Sequence, residues 1–338
     1  MGLFQFKQFE ALTGGAITAS APAPVISGQG LPTGNLALES IHLTSSQNLT
    51  IGTGTTPQTD GELLLVDSVY LDTDKHGPLV ENLDGLGLHR MLQFIYGARP
   101  LTNAIAASTG TYNSGWRIPF ALPEGSHALR SYDSILDLYN SRMTARVTYN
   151  DLSKALGTVG TATSTPTVTW TGRMLYAPND SELPAYVPVL KLKKVPILAT
   201  QSQYQIPLDF GGLIYLGIGI AQRNSSTLAE VTDVIVPTAK VRLDVNSRDA
   251  IQPMNYFDLQ SMSKVQNEIE TYPTGMAFMD FFSNSGRIAD AIDTISQQGN
   301  MNLYLDVVTA ANRAVWVYTW GLKPIPPTAV RPVQTVAK

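Results

Sequence analysis

Histidine is the residue type best suited to metal binding or acid–base catalysis in this chain, and the spacing of its histidines supports neither role. There are four, His42, His76, His89 and His127, and none lies in a His-Glu-x-x-His pair or another zinc-binding pattern. Cysteine is absent, which excludes disulfides, thiolate metal ligands and cysteine nucleophiles. We interpret each histidine as a surface or turn residue. We predict no catalytic residue and no metal site.

The glycine motifs that bind phosphate groups are incomplete. Gly-x-Gly occurs at Gly52/Gly54, Gly85/Gly87 and Gly217/Gly219, but the third glycine position holds Pro57, Arg90 and Gln222 respectively. A dinucleotide fingerprint needs that third glycine for close packing of helix on strand. Gly-x-x-x-x-Gly-Lys-Ser/Thr and Gly-x-Ser-x-Gly do not occur either. We therefore predict no cofactor.

Two groups of carboxylates are candidate sites. Asp72-Thr-Asp74-Lys-His76-Gly77 is a candidate calcium turn, because hard cations are bound by oxygen atoms. The rest of the calcium-loop spacing is missing, which favours a solvated turn and leaves a structural calcium ion near Asp72 and Asp74 as an open alternative. Asp280 with Asp290 or Asp293 could serve a glycosidase, which needs two acids at a set separation. Sequence spacing does not fix that separation, and a solvent-exposed helix face is the favoured interpretation of Asp290 and Asp293.

The composition indicates an all-β protein with a weakly charged surface. Of 338 residues only 15% are charged, against about 25% in average soluble domains, while 27 are glycine and 21 are proline. Low surface charge suits a subunit whose faces are covered by neighbours, since interface centres are depleted in charged residues. The 23 basic residues do not exceed the 27 acidic ones and form no run longer than Lys193-Lys194, so we expect no direct nucleic-acid binding. We also expect no membrane-spanning helix and no secretory signal.

Alternating apolar residues predict strands throughout the chain, with few helices. Aromatic residues, including Trp116, Trp170, Trp316 and Trp320, fall inside these strands, and we interpret them as core or subunit contacts rather than a sugar-binding platform. The predicted strands cover 36–51, 63–71, 116–122, 143–149, 167–176, 187–197, 205–208, 213–221, 234–245, 275–282, 302–308 and 314–322. The predicted helices cover 131–139, 259–269 and 287–295.

The N-terminal residues 2–12 predict an amphipathic helix with an aromatic face. The residues that define it are Leu3, Phe4, Phe6, Lys7 and Phe9. Such a helix can dock on a neighbouring subunit or a lipid surface, or it can pack on its own core, and the sequence leaves both alternatives open. Residues 13–34 follow as a flexible Gly/Pro/Ala linker.

The two halves of the chain share one order of elements. A strand, a turn, a helix and a second strand occupy 118–150 and recur over 276–309, and each half ends in a tryptophan-containing strand. Phe120 and Phe278 are 158 residues apart, and so are Met143 and Met301. We therefore predict an internal duplication of two jelly-roll β-sandwich domains. The predicted domains are an arm and linker at 1–34, jelly rolls at 35–180 and 185–323, and a proline-rich tail at 324–338.

This element order resembles the double jelly-roll major capsid proteins of tailless icosahedral bacteriophages that contain an internal membrane. The resemblance covers residues 35–322 and rests on architecture rather than on a short motif. It implies a non-enzymatic virion protein, made in the host cytoplasm, whose homotrimers form pseudo-hexameric capsomers. It also implies contacts with neighbouring capsomers, with penton or minor capsid proteins and, through the N-terminal arm, with the viral membrane. The alternative is a carbohydrate-binding or carbohydrate-active β-sandwich protein.

Overall fold

The chain divides into two compact units in a computed structural model. The first unit contains residues 1–92, 99–189 and 323–338, and the second contains 93–98 and 190–322. The structure describes residues 4–22, 26–29, 36–97, 102–120, 122–124, 129–131, 136–137, 141–176, 186–209, 211–269, 271–282, 291–296 and 299–325.

Strands make up most of the described chain. In chain order they are β1 Phe4–Thr13, β2 Ile26–Gln29, β3 Leu36–Thr50, β4 Thr56–Pro57, β5 Val66–Thr73, β6 Gly77–Leu83, β7 Gly110–Pro119, β8 Leu122–Glu124, β9 Leu129–Ser131, β10 Leu136–Asp137, β11 Met143–Tyr149, β12 Leu156–Thr158, β13 Thr163–Tyr176, β14 Tyr186–Ile197, β15 Gln201–Leu208, β16 Ile214–Asn224, β17 Lys240–Val245, β18 Arg248–Asn255, β19 Met276–Asp280, β20 Ile292–Asp293, β21 Met301–Val307 and β22 Arg313–Pro324. The helices are α1 Gly61–Leu64, α2 Gly85–Tyr96 and α3 Tyr256–Gln266.

The first unit is built from two antiparallel layers. In one layer β3 is central, hydrogen-bonded to β13 along one side and to β7 and the short β10 along the other, and β1 extends the layer beyond β13. The other layer has the strand order β2-β11-β5-β6. Two small ribbons, β4 with β12 and β8 with β9, lie outside these layers.

The second unit repeats this pattern. Its central strand β16 pairs with β22 along one side and with β19 and the short β20 along the other. Its other layer has the order β15-β21-β17-β18, with β15 and β18 at the two edges. Both edge strands contain a proline, Pro207 and Pro253, and both have register shifts against their partners.

The strand pairings confirm the internal duplication. In each unit a central strand (β3 or β16) and two strands of the other layer (β5 and β6, or β17 and β18) precede a helix, and the equivalent strands have equivalent neighbours in their own unit. Met143 and Met301 begin the equivalent strands β11 and β21, and the predicted tryptophan strands are the equivalent pair β13 and β22. The helix common to both halves is real, but it lies earlier than predicted, as α2 between β6 and β7 and as α3 between β18 and β19.

Alternating burial explains why these segments form two-layer sandwiches. Along β11 the buried residues are Met143, Ala145, Val147 and Tyr149, with half-buried or exposed residues between them. A strand with this period covers the core with one face and leaves the other face to its surroundings. β16 differs because it is buried over ten consecutive residues, which is typical of a strand covered on both faces. The ring of Phe278 lies so close to Gly217 in β16 that any Cβ there would collide with it.

Two of the three predicted helices are wrong where the structure describes them. Within 131–139 the chain forms the end of β9 and then β10, and within 287–295 it forms β20. Both segments are short strands that pair with the central strand of their unit, so tertiary hydrogen bonding overrides the local helical pattern. The predicted helix at 259–269 is confirmed as α3, which begins three residues earlier.

Helix α2 was not predicted, and its first turn contains Gly85 and Gly87, which are weak helix formers. Its residues are buried on every side, including the polar His89 and Gln93. The Asp84 carboxylate accepts a hydrogen bond from the Gly87 N–H at 2.9 Å, which fixes the start of the helix.

The predicted N-terminal helix is also wrong. Residues 4–13 form β1, which pairs antiparallel with β13 and therefore belongs to the first unit. The described part of the predicted linker is ordered against the same unit, since Ile17 is fully buried and exchanges backbone hydrogen bonds with Ser164, and β2 pairs with β11. The spacing of the aromatic residues fits a strand as well as a helix. The segment forms a strand because the edge of β13 offers backbone hydrogen bonds to it. Leu3 and residues 326–338 of the predicted tail lie outside the described residues.

A buried hydrogen-bond network joins the two layers of the first unit. The hydroxyls of Tyr149 on β11 and Ser45 on β3 are 2.7 Å apart, and the Gln47 side chain donates to Ser45 at 2.8 Å. Ser164 on β13 donates to the Gln47 carbonyl at 3.1 Å. Burial raises the pKa of the Tyr149 hydroxyl, so it stays neutral and able to donate. A satisfied network of this kind fixes how one layer packs on the other.

We expect Tyr149→Phe to destabilise the protein by about 1–3 kcal/mol, because it leaves buried Ser45 and Gln47 groups short of a partner without opening a cavity. Tyr70→Phe, at a partly exposed tyrosine of the same unit, is the matched control and should change stability little. Chemical denaturation of both variants measures the difference. Equal stability of the two variants would show that the network does not hold the layers together.

Candidate functional site

The histidines are dispersed, as expected, but two are not surface residues. His89 is buried within α2, and His76 lies in the turn between β5 and β6 with its side chain buried. His42 is half-buried on β3, and His127 lies outside the described residues. Among the described residues no group of three or more histidine, aspartate or glutamate side chains is arranged to hold a metal ion. Asp72 and Asp74 lie at the end of β5 and in the turn that follows it.

The carboxylates considered as catalytic acids accept hydrogen bonds from groups that are nearby in the sequence. The Asp280 carboxylate accepts from the Phe282 N–H at 2.9 Å, and the Asp293 carboxylate accepts from Ile295 and Ser296. These bonds lower the pKa of Asp293, with the Ser296 hydroxyl as the largest cause. A low pKa suits an ionised turn-forming residue rather than a general acid. Asp290 lies outside the described residues.

The tryptophans lie in the cores of the units, as predicted. Each is less than 5% exposed, and the Trp116 indole N–H donates to the Gly85 carbonyl at 2.8 Å. Trp316 is contacted by two cations, with the Lys194 Nζ at 4.6 Å and the Arg223 Cζ at 5.6 Å from the ring centre. The sugar-platform interpretation of these four residues is therefore excluded by burial.

A pocket beside α3 in the second unit was not predicted from the sequence. It has a volume of about 440 Å³. Its lining comes from four separate segments: the end of β16, the loop 225–239, α3 and the loop after α3. The lining residues are Gln222, Thr232, Ile235, Pro237, Tyr256, Phe257, Gln260, Ser261, Lys264, Tyr272, Pro273 and Thr274. No local motif announces a site that is assembled from such distant segments.

Buried hydrogen bonds hold the floor and one wall of this pocket. The Gln222 amide donates to the Ile235 carbonyl at 3.2 Å and accepts from the Ile235 N–H at 2.7 Å. The Tyr256 hydroxyl donates to the Ile220 carbonyl at 3.2 Å, and burial raises its pKa, which keeps it a donor. The Gln260 amide donates to the carbonyls of Thr274 and Met276 at 3.1 and 2.9 Å, which ties α3 to the following loop.

Two ion pairs anchor the loop 225–239. The Arg313 guanidinium makes two bonds to the Asp233 carboxylate at 2.8 and 2.7 Å. These bonds lower the pKa of Asp233. Near the start of the loop, fully buried Arg223 lies 3.6 Å from Glu230. The middle of the loop is thus held by charge at Glu230 and Asp233, and the Gln222 amide holds it at Ile235.

The exposed apolar residues of the described chain concentrate on α3. Phe257, Met262 and Val265 are 58%, 46% and 78% exposed, and Leu198 in the turn after β14 is 86% exposed. Large apolar side chains clustered on one exposed helix are typical of surfaces that meet another molecule.

None of the helices in the described residues combines the length and the apolar character that a membrane crossing requires.

The fold that these units define is the double jelly roll, two consecutive antiparallel β-sandwiches with one shared strand order. No protein-family model and no curated protein matches the sequence. Solved structures with this fold match the whole chain, and they are viral major capsid proteins.

Three of these matches show the extent of the similarity. The crystal structure of the STIV major capsid protein aligns with a TM-score of 0.66 at 15% identity, covering 100% of both chains. The major capsid protein P2 of bacteriophage PM2 aligns at 0.59 and 13% identity, covering 96% of this chain and 99% of its own. A chain of the PBCV-1 virus capsid aligns at 0.63 and 13% identity, covering 95% and 94%. The predicted fold class is confirmed, and these structural neighbours are capsid proteins rather than enzymes.

The Asp233–Arg313 pair predicts a specific loss of stability in acid. Because the pKa of Asp233 is lower in the folded state, its contribution is present above the ordinary aspartate value of 3.8 and is lost as pH falls through the folded value. Arg313→Gln should therefore lower the melting temperature more at about pH 6 than at about pH 3. Arg248→Gln, at an exposed arginine on β18, is the control and should show no such difference. An equal effect of Arg313→Gln at both pH values would contradict the assignment.

Proposed function

We propose that this chain is the major capsid protein of a virus, forming the icosahedral shell of the virion. The observation that carries the proposal is end-to-end agreement with the STIV major capsid protein, in which each chain is covered completely by the other. Both duplicated units are included in that agreement, so it concerns the whole architecture rather than one common sandwich. The composition supports it, because a chain with 15% charged residues suits repeated burial against neighbours.

We propose further that three copies form a pseudo-hexameric capsomer. Each chain contributes two units with the same strand order, so a closed threefold ring presents six similar units. Such a ring can pack in a hexagonal array with equivalent capsomers, and penton or minor capsid proteins would fill the remaining positions. The chain needs no nucleic-acid contact for this role, and its net charge of −4 supports none. Its site of synthesis would be the host cytoplasm.

The capsomer is tested by the native mass of the purified protein. Three chains of 36.5 kDa give a particle of about 110 kDa that should persist on dilution, because closed rings bury a heterologous interface in every subunit. Light scattering coupled to size exclusion measures this mass across a range of concentrations. A monomer at every concentration would reject the trimer, and absence of shells from cells expressing the chain with its partner proteins would reject the capsid role.

The N-terminal strand is the proposed contact with an internal membrane or with a neighbour. The residues concerned are Leu3, Phe4, Phe6, Lys7 and Phe9. Aromatic and aliphatic side chains next to a basic residue are the composition that binds lipid interfaces.

The carbohydrate-binding alternative has one observation in its favour, the aromatic pocket beside α3, and that pocket is compatible with a capsid subunit.

We expect intact capsomers to float with vesicles that contain anionic phospholipid. We expect Phe4→Ser to reduce that binding about tenfold or more, since each buried aromatic side chain contributes about 1.5–3 kcal/mol. Phe257→Ser, which removes an exposed aromatic residue from α3, serves as the control. Equal flotation of the three proteins would assign the N-terminal strand to protein contacts alone.

A further inference from the structure

The pocket beside α3 contains polar groups that the fold itself does not use. Four of its lining side chains, Thr232, Ser261, Lys264 and Thr274, make no side-chain hydrogen bond or ion pair within the described chain. Three are hydroxyls, which can both donate and accept, and the fourth is an ammonium group with three donors. These groups surround one cavity, whereas the buried polar side chains of the floor are satisfied by Ile235, Ile220 and other backbone partners. The pocket therefore has side-chain donors and acceptors available to a ligand, above a floor whose polar side chains are already hydrogen-bonded.

An aromatic surface lies among these groups. Phe257 lines the pocket with 58% of its side chain exposed, an arrangement that leaves a large apolar ring in water. Tyr272 and Pro273 add apolar surface from the loop after α3. Hydroxyl groups around an exposed aromatic ring match a ligand with one apolar face and a polar perimeter. A pyranose ring has that form, with C–H groups on its face and hydroxyls at its edge.

The charge of the lining narrows the class of ligand. Lys264, in the last turn of α3, is the cation among the described lining residues, and that lining includes no aspartate or glutamate. An anionic group would be attracted to the ammonium and would meet no carboxylate in the lining. The pocket thus favours an acidic saccharide over a neutral or basic one.

The volume and the rigidity of the pocket suit a small ligand. About 440 Å³ lies within the range of roughly 300–1,000 Å³ typical of small-molecule sites, with room for one or two sugar rings. The Gln222, Gln260 and Arg313 bonds fix the walls before any ligand arrives. Preorganised walls reduce the ordering that binding would otherwise require.

We propose that this pocket binds a carboxylate-bearing pyranose unit of a glycan. The C–H face of the sugar packs on Phe257, its hydroxyls bond Thr232, Ser261 and Thr274, and its carboxylate pairs with Lys264. This binding goes beyond the capsid role and does not depend on it, because every contact lies within the second unit of one chain.

Two matched sugars test the proposal on the purified full-length protein. Methyl glucuronide and methyl glucoside share a ring and differ in one carboxylate, and their dissociation constants can be measured by ligand-observed NMR titration. We expect the glucuronide to bind about tenfold more tightly, the factor that one charge-assisted hydrogen bond of roughly 1.4 kcal/mol provides. Lys264→Met should remove that difference by weakening glucuronide binding to the level of the glucoside.

Three further variants test whether the sugar packs on the ring of Phe257. Phe257→Ala should abolish binding of both sugars, and Phe257→Tyr, which keeps the ring face, should retain it. Val265→Ala removes another exposed apolar side chain of α3 that does not line the pocket, and its binding should equal that of the unmodified chain. Circular dichroism and native mass confirm that each variant is folded and assembled as the unmodified chain is.

Several outcomes would overturn the proposal. Equal affinity for the two sugars would remove the carboxylate assignment, and undiminished binding by Phe257→Ala would place the sugar elsewhere. Failure of the unmodified protein to bind either sugar at millimolar concentration would reject the site altogether. Because native mass is measured on the same samples, an unmodified protein that forms trimers but binds neither sugar would reject this inference and leave the capsid proposal standing.

Discussion

Each unit depends on the pairing of one central strand, β3 in the first and β16 in the second. A strand inside a sheet must satisfy backbone N–H and C=O groups along both of its sides, because buried unpaired groups are costly. β3 meets this requirement through β13, β7 and β10, and β16 meets it through β22, β19 and β20. All of these partners are distant from the central strand in sequence, so the pairing closes the chain into a sandwich. Within each unit, the second layer, the helix and the loops then pack on the layer that contains the central strand.

Much of this frame could be predicted from the sequence, since strand alternation is a local signal. Met143–Tyr149 was located to the residue, and the 158-residue offset between Met143 and Met301 reflects the true equivalence of β11 and β21. The wrongly predicted helices share one cause, which is that a distant partner determines the structure. β1 is a strand because β13 has an open edge, and β10 and β20 are strands because the central strands continue past β7 and β19. α2 was not predicted because two glycines, Gly85 and Gly87, open it, and glycine is a weak helix former.

The candidate sites show the same contrast between local motifs, which the sequence reveals, and sites assembled from distant segments, which it does not. The sequence predicts no chemistry for the histidines, the Gly-x-Gly pairs and the paired aspartates, and the structure gives several of them packing or turn roles. Gly217 admits the Phe278 ring, and Asp293 caps its own turn. The pocket beside α3 was out of reach, because Gln222, Thr232, Phe257 and Thr274 meet only after three strands and a helix have been placed.

The edge strands of the second unit bear on how the chain behaves while it accumulates. β15 and β18 expose unpaired backbone, yet each contains a proline, which cannot donate, and each is shifted in register against its inner neighbour. A strand from another molecule would therefore find a missing N–H donor at the proline and an irregular edge at the register shift, where pairing requires regularly spaced backbone groups. Open sheet edges put a protein at risk of edge-to-edge growth into insoluble fibrils, and these two irregular edges oppose that growth. The same irregularity leaves side-chain surfaces, rather than backbone ladders, to decide which copies adhere.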